Sequence, residues 1–404
     1  MPPTRKELIL AGVVLLAIPL LAEIALRAAR VQFDPQLYRP NRELGWVMRP
    51  RASGVVTTET KQYVAINERG FHDKEHSYEK PINVFRIAVL GNSWTEALQV
   101  PLEKNYCSVL EKELVDKRCF GGKPVEVLNF GVAGYSTAQE LLELQQEVWK
   151  YQPDLVIVAL YPARDIANNA RDLNNAVDPE RSPYFVYRGN KLVEDDAFQS
   201  VAALQPPQIY LQNIGYQINE RSRVLQAIVA VQRFGKIRVA MASVKDKAEK
   251  SGLENLEYAI YAPPSLPAME TAWKVTEGLL MAIRDEVKAH GAKLWIVTLA
   301  TRPQVIPDAS VRRVLMNKIG VQDFSYADDR IKEFGEREGI PVMNLGPALS
   351  LYAETHRVYL NGFNEKNFGA GHWNETGHRV AAETIAAELC KASPSNSAVT
   401  FGVH

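Results

Sequence analysis

The spacing of apolar and polar residues changes period several times along the chain, and each change predicts an element. From Leu8 to Ala22 no residue is charged, and after Glu23 the apolar stretch resumes as Ile24-Ala25-Leu26. As a helix, residues 8–26 would extend about 28 Å, close to the hydrocarbon thickness of a bilayer. Arg5 and Lys6 precede the stretch while Arg27 and Arg30 follow it, so the positive-inside rule gives no clear orientation. The rival reading is a cleaved signal peptide, but Ala22, Ala25, Ala28 and Ala29 lack the A-x-A spacing of a cleavage site. The expectation is an uncleaved single-pass anchor over residues 1–30, carrying an extracytoplasmic (periplasmic) domain.

Residues 31–82 hold turn formers such as Asp34-Pro35, Arg39-Pro40-Asn41 and Asn67-Glu68-Arg69-Gly70, and read as an extended lead-in packed on the domain. A βα rhythm then begins. Phe85-Arg86-Ile87-Ala88-Val89-Leu90 is a nearly continuous apolar run closed by Gly91, the pattern of a strand buried on both faces. A helix over about 102–116, a strand over 125–130, a helix over 137–151 and a strand over 154–160 follow. Strands alternating with helices of this length call for right-handed crossovers and a parallel sheet. The rhythm lapses in an insertion over about 176–265. This holds a hairpin, turned at Gly189-Asn190, and then mixed helical patterns broken by Pro206-Pro207 and Pro263-Pro264. It resumes with a helix over 268–290, strands over 293–299 and 340–345, and a last helix over 376–390. The α/β core thus runs over 83–391, and 392–404 reads as a loose polar tail. The fold class is α/β, a three-layer α/β/α sandwich around a five-stranded parallel sheet.

Composition narrows the partners. Lysine plus arginine equals aspartate plus glutamate at 47 each, which gives no electrostatic reason to expect nucleic acid. The three cysteines, Cys107, Cys119 and Cys390, show no CxxC spacing, so neither a structural zinc site nor a disulfide scaffold is expected. Cys107 and Cys119 either pair in an exported domain or remain buried thiols.

Ligand sites in a parallel α/β sheet form at loops leaving the C-terminal strand ends. The first such loop reads Gly91-Asn92-Ser93-Trp94-Thr95-Glu96. A sharp turn there would expose the Ser93 hydroxyl for nucleophilic attack, although Ser93-x-x-Glu96 is equally the spacing of a helix capping box. The second loop, Gly131-Val132-Ala133-Gly134-Tyr135-Ser136-Thr137, either brings backbone N–H groups to a ligand or is a plain glycine turn capped by Ser136 or Thr137. Just before the last helix, Gly371-His372-Trp373 places His372 as a general base or as a surface or capping histidine.

Taken together, these loops resemble the SGNH (GDSL-type) hydrolase family over about residues 60–391. The family's Gly-Asp-Ser motif stands here as Gly91-Asn92-Ser93, and its oxyanion-hole glycine matches Gly134. The segments Ile66-Asn67-Glu68-Arg69-Gly70-Phe71 and Arg181-Ser182-Pro183-Tyr184-Phe185 are similar to membrane-anchored members associated with cell-surface polysaccharides. Two departures stand out. The family's Gly-x-Asn-Asp appears as Pro162-Ala163-Arg164-Asp165, with Arg164 in place of an oxyanion asparagine. Its Asp-x-x-His appears as Gly369-Ala370-Gly371-His372, without a carboxylate at either Gly369 or Ala370. The resemblance implies flavodoxin-like strand order 2-1-3-4-5 and no cofactor or metal. It also implies Ser93 as nucleophile, His372 as base, and Ser93, Gly134 and Arg164 at the oxyanion, with Asp165 or Glu365 as substitute carboxylates. The implied activity is ester hydrolysis or O-acyl (acetyl) transfer on cell-envelope carbohydrate. The alternative is a catalytically impaired protein that binds a glycan or partner protein in the same cleft.

Overall fold

The computed structural model describes residues 3–174, 179–251 and 256–392. Helix α1 (Arg5–Ala28) is followed by two short antiparallel hairpins, β1 (Tyr38–Asn41) with β2 (Gly45–Met48) and β3 (Ser53–Val56) with β4 (Gln62–Ala65). The central sheet opens with β5 (Phe85–Gly91), α2 (Ser93–Glu96), α3 (Tyr106–Asp116) and β6 (Val125–Gly131). It continues through α4 (Thr137–Gln146), β7 (Leu155–Leu160) and α5 (Pro162–Asn168). The inserted region holds the hairpin β8 (Tyr184–Arg188) and β9 (Lys191–Asp195), then α6 (Pro206–Arg221) and α7 (Arg223–Ser251). The remaining elements are α8 (Pro267–Ala289), β10 (Lys293–Thr298), α9 (Ala309–Ile319), α10 (Tyr326–Glu338), β11 (Val342–Asn344), α11 (Gly346–His356) and α12 (Glu375–Ala392).

The sheet is parallel throughout, in the order β11-β10-β7-β5-β6. Numbered within the sheet, this is the expected 2-1-3-4-5. Every residue of β7 is buried, because helices cover both faces and leave no solvated side to reward alternation. Helix α3 packs with α12, while α4 and α5 pack with α8, which makes the two outer layers. Arg86 is the one charged residue in β5. It is fully buried and satisfied by Glu126 Oε2 at 2.6 Å and the Tyr151 carbonyl at 2.9 Å. Strand order reverses between β5 and β7, the point at which such sheets open a crevice.

Several local expectations are corrected. The lead-in is not merely extended: its two hairpins bury Met48, Val64 and Ile66 in a small core of their own with Tyr135 and Leu142. Cys119 is bonded to Cys390, tying the end of α3 to α12, while Cys107 is buried and free. Of the two alternatives for Cys107 and Cys119, a mutual bond or buried thiols, neither holds for both: α3 places Cys107 in its buried stripe and leaves Cys119 beyond its end, facing the last helix. Of the tail expected over 392–404, Ala392 ends α12 and the remainder lies outside the described residues. Helix α1 is long and apolar enough to cross a membrane, and none of its residues is buried.

Candidate active site

Ser93 is the first residue of α2, directly beyond the C-terminal end of β5. The cap of that helix is Asn92, whose Oδ1 accepts the Trp94 N–H at 3.0 Å. Ser93 therefore does not serve as the cap. Nor does Glu96 complete a capping box: it is buried, accepting the Tyr38 hydroxyl at 2.6 Å and the Ala133 N–H at 3.1 Å. The Ser93 hydroxyl instead lies 2.8 Å from His372 Nε2. The packing of Asn92 and Glu96 thus excludes the capping reading of the Ser93 loop.

The carboxylate facing His372 is Glu59. It lies in the bend joining β3 to β4, 313 residues away along the chain. Its Oε1 is 2.6 Å from Nδ1, and its Oε2 accepts the His372 backbone N–H at 2.8 Å. Burial works to raise the Glu59 carboxyl, but the hydrogen bonds and charge of His372 outweigh it, and it is held below its ordinary value. An anion beside Nδ1 fixes the tautomer in which Nδ1–H donates to Glu59 and Nε2 is free to accept from Ser93. The histidine loop is pinned as well: Gly362 donates to the His372 carbonyl at 3.1 Å, and the Asn361 side chain donates to the Gly371 carbonyl at 3.1 Å. Gly371 has φ +70, and a Cβ there would stand 2.2 Å from Glu59 Oε2, so a side chain at this position would displace the carboxylate.

Neither carboxylate suggested by the sequence occupies that place. Asp165 is buried beneath the nucleophile loop, where its Oδ1 accepts from Asn92 Nδ2 at 2.7 Å and its Oδ2 from the Tyr161 N–H at 2.6 Å. Burial pushes it up to about 7. It braces Asn92, and through it the turn that presents Ser93. Glu365 is exposed on the loop ahead of His372, without contact to the imidazole. His378, the second histidine of that segment, is fully buried, and burial lowers it to about 3, so it stays neutral.

Gly134, in the left-handed region at φ +83, lines the same cavity as Ser93. Neither its N–H nor that of Ser93 has a hydrogen-bond acceptor among the described residues, which leaves both donors available to an oxyanion. Arg164 is exposed at the rim. One turn further along α5, Asn168 also lines the cavity; the residue is 6% exposed, and its Oδ1 lacks a partner among the described residues. Sequence reasoning missed Asn168 because it looked for the amide at position 164; the i, i+4 spacing on one helix face was the available signal. The cavity measures about 320 Å³, with Trp94, Tyr161 and Ala163 as apolar wall. The ion pair Arg302–Glu257 adds a polar side, Glu257 being supplied by the inserted region. Among the described residues no group of three or more His, Cys, Asp or Glu side chains is placed to hold a metal ion.

Fold and site together define an α/β sheet protein with a hydrogen-bonded Ser–His–Glu row at the C-terminal edge of its sheet. No protein-family model matches the chain. Over 75 residues, 19% of its length, the chain is 33% identical to an arylesterase of Vibrio mimicus, and the match spans 36% of that protein. Among solved structures it is similar to an acetyl xylan esterase, with 12% identity and a TM-score of 0.38 over 75% of this chain and 99% of the other. It is also similar to a putative lipolytic protein of the G-D-S-L family from Desulfitobacterium hafniense, with 11% identity and a TM-score of 0.35 over 75% and 98%. A catalytic mutant of an acetylxylan esterase from Geobacillus stearothermophilus is similar at 11% identity and a TM-score of 0.37, over 76% and 94%.

Proposed function

We propose that this protein is a serine esterase of the SGNH type that removes or transfers a small acyl group, most suitably acetyl, on a carbohydrate of the cell envelope. One observation carries the reading: Ser93 Oγ, His372 and Glu59 form a continuous row at 2.8 and 2.6 Å on a cavity lined by unused N–H donors. In the first half-reaction Ser93 Oγ bonds to the acyl carbon as His372 Nε2 takes the hydroxyl proton. The oxyanion that forms is held by the Ser93 and Gly134 amides, with the Asn168 side-chain amide and Arg164 within the same cavity. Collapse breaks the bond to the alcohol oxygen, which leaves with the proton from His372. Water, or a sugar hydroxyl in the transferase case, then releases the acyl group by the reverse proton path. Glu59 supports the imidazolium in both halves without being protonated itself.

The 33% identical segment shared with an arylesterase supports ester chemistry. The apolar α1 and the Cys119–Cys390 disulfide support a membrane-held domain in an oxidising, extracytoplasmic compartment, where such bonds persist. The binding-only alternative rested on the altered third and fifth motifs; Glu59 beside His372 weighs against the ground taken from the fifth, while Arg164 still stands in the third. A fluorophosphonate probe tests the reading directly. Covalent labelling of the wild type that is lost in Ser93→Ala, together with turnover of p-nitrophenyl acetate, is the expected result. A chain that neither labels nor turns over acetyl esters would refute it.

A further inference from the structure

Helices α6 and α7 present an apolar surface that the other described residues do not cover. Tyr210, Leu211 and Ile218 on α6, and Val231, Phe234 and Val239 on α7, are each more than half exposed. This segment is fixed to the body: α6 packs on β1, and Arg49 binds Glu220 at 2.6 Å and lies over the Tyr216 ring. It is joined equally firmly to α1. Glu23 accepts from the Ser222 hydroxyl at 2.9 Å and from the backbone N–H groups of Arg223 and Val224 at 3.0 Å each, so it caps α7. Arg27 pairs with Glu23 at 2.6 Å and donates to the Arg221 carbonyl at 2.7 Å.

Glu23 sits near the end of the apolar stretch 8–26, within about one helical turn of where α1 would leave the hydrocarbon. A carboxylate there is costly unless partnered, and its partners are α7's first N–H groups and Arg27. With α1 across a bilayer, these bonds would hold the start of α7 at the depth of the interface. Charge points the same way. Residues 206–251 contain eight basic and three acidic side chains in a chain whose net charge is zero, and Arg233, Lys236 and Arg238 are exposed beside the apolar residues. Long basic side chains beside exposed apolar ones can reach anionic headgroups while their neighbours meet the acyl boundary.

On the reading that α1 crosses the membrane, we propose that the α6–α7 segment lies on the bilayer surface. Its apolar side chains would enter the acyl boundary and its basic side chains would face anionic phospholipid headgroups. The domain is then seated on the membrane by a surface, not tethered by one helix. The test uses the full chain in vesicles of phosphatidylethanolamine and phosphatidylglycerol. An environment-sensitive dye is placed singly at Leu15→Cys, Phe234→Cys or Ile82→Cys, the last an exposed site outside α6 and α7. Nitroxide-bearing lipids should quench the dye at 15 and 234 several-fold more than at 82. Replacing Arg233, Lys236 and Arg238 together by glutamine should diminish quenching at 234 while leaving 15 unchanged. Quenching at 15 with none at 234 overturns the proposal and leaves the anchor reading intact. A dye at 234 shielded from water but not quenched, with cross-linking between copies or to another protein, also overturns it. Absence of quenching at 15 overturns the anchor reading and the proposal with it.

Discussion

Glu59→Gln keeps the length and volume of the side chain but exchanges one carboxylate oxygen for an amide. In the structure both oxygens accept from His372, one from Nδ1 and one from the backbone N–H. Glutamine has a single acceptor oxygen to offer those two donors. If that oxygen stays on the backbone N–H, the amide NH₂ meets Nδ1 and favours the tautomer with the proton on Nε2, pointing at Ser93. The hydroxyl then has no base. The corresponding carboxylate-to-amide change in a serine protease costs about 10⁴ in kcat. Here the Glu59 and His372 side chains are each 21% exposed, so water can supply part of the lost support. The expected loss is therefore about 10²–10⁴ in kcat/KM, or about 3–5.5 kcal/mol of transition-state stabilisation. Steady-state hydrolysis of p-nitrophenyl acetate and the rate of fluorophosphonate labelling should fall together, with an unchanged melting temperature confirming the fold. Glu365→Gln, on the exposed neighbouring loop, should leave both rates unaltered. A Glu59→Gln enzyme within about threefold of wild type would refute the assignment, since that difference is under 1 kcal/mol.

Ala370→Asp, which reinstates a carboxylate beside the histidine at the position implied by the resemblance, should give no gain in kcat/KM, because Nδ1 is already occupied; a rise in rate would show that Glu59 does not support the imidazole. Cys390→Ser, or reduction of the Cys119 bond, should lower unfolding free energy by about 2–5 kcal/mol in urea titrations, given the long loop closed. Burial raises Glu96 and Asp165 to about 7, and it raises Glu140 well above its ordinary value, with the charges of Asp165 and Glu143 adding to the shift. The native state thus binds more protons than the unfolded chain from about pH 4 upward, so stability should fall as pH rises through about 4 to 7. Both Glu140 carboxyl oxygens lack a hydrogen-bond partner among the described residues. Glu140→Gln should therefore flatten this slope and raise the melting temperature at pH 8 relative to wild type, and an unaltered slope would contradict the burial argument.

The parallel sheet and its order were legible because strands buried on both faces leave continuous apolar runs, as at Leu155–Leu160, and the intervening helices force crossovers. Ser93, Gly134 and His372 were legible for a related reason: residues at strand ends and before the last helix are placed by local periodicity. Local periodicity did not reveal the roles at those places. Whether Ser93 caps a helix or faces a base depended on Asn92 taking the cap and on Tyr38 and Ala133 claiming Glu96. Glu59 carried no signal at all, since a glutamate in a polar bend looks like any solvated residue until the β3–β4 hairpin folds back over the sheet edge. The pairing of Cys119 with Cys390 and the joining of Glu23 to α7 are of the same kind. Sequence spacing determines which residues share a strand or a helix face, whereas contacts between segments hundreds of residues apart are set by how the layers pack, and only the tertiary structure decides them.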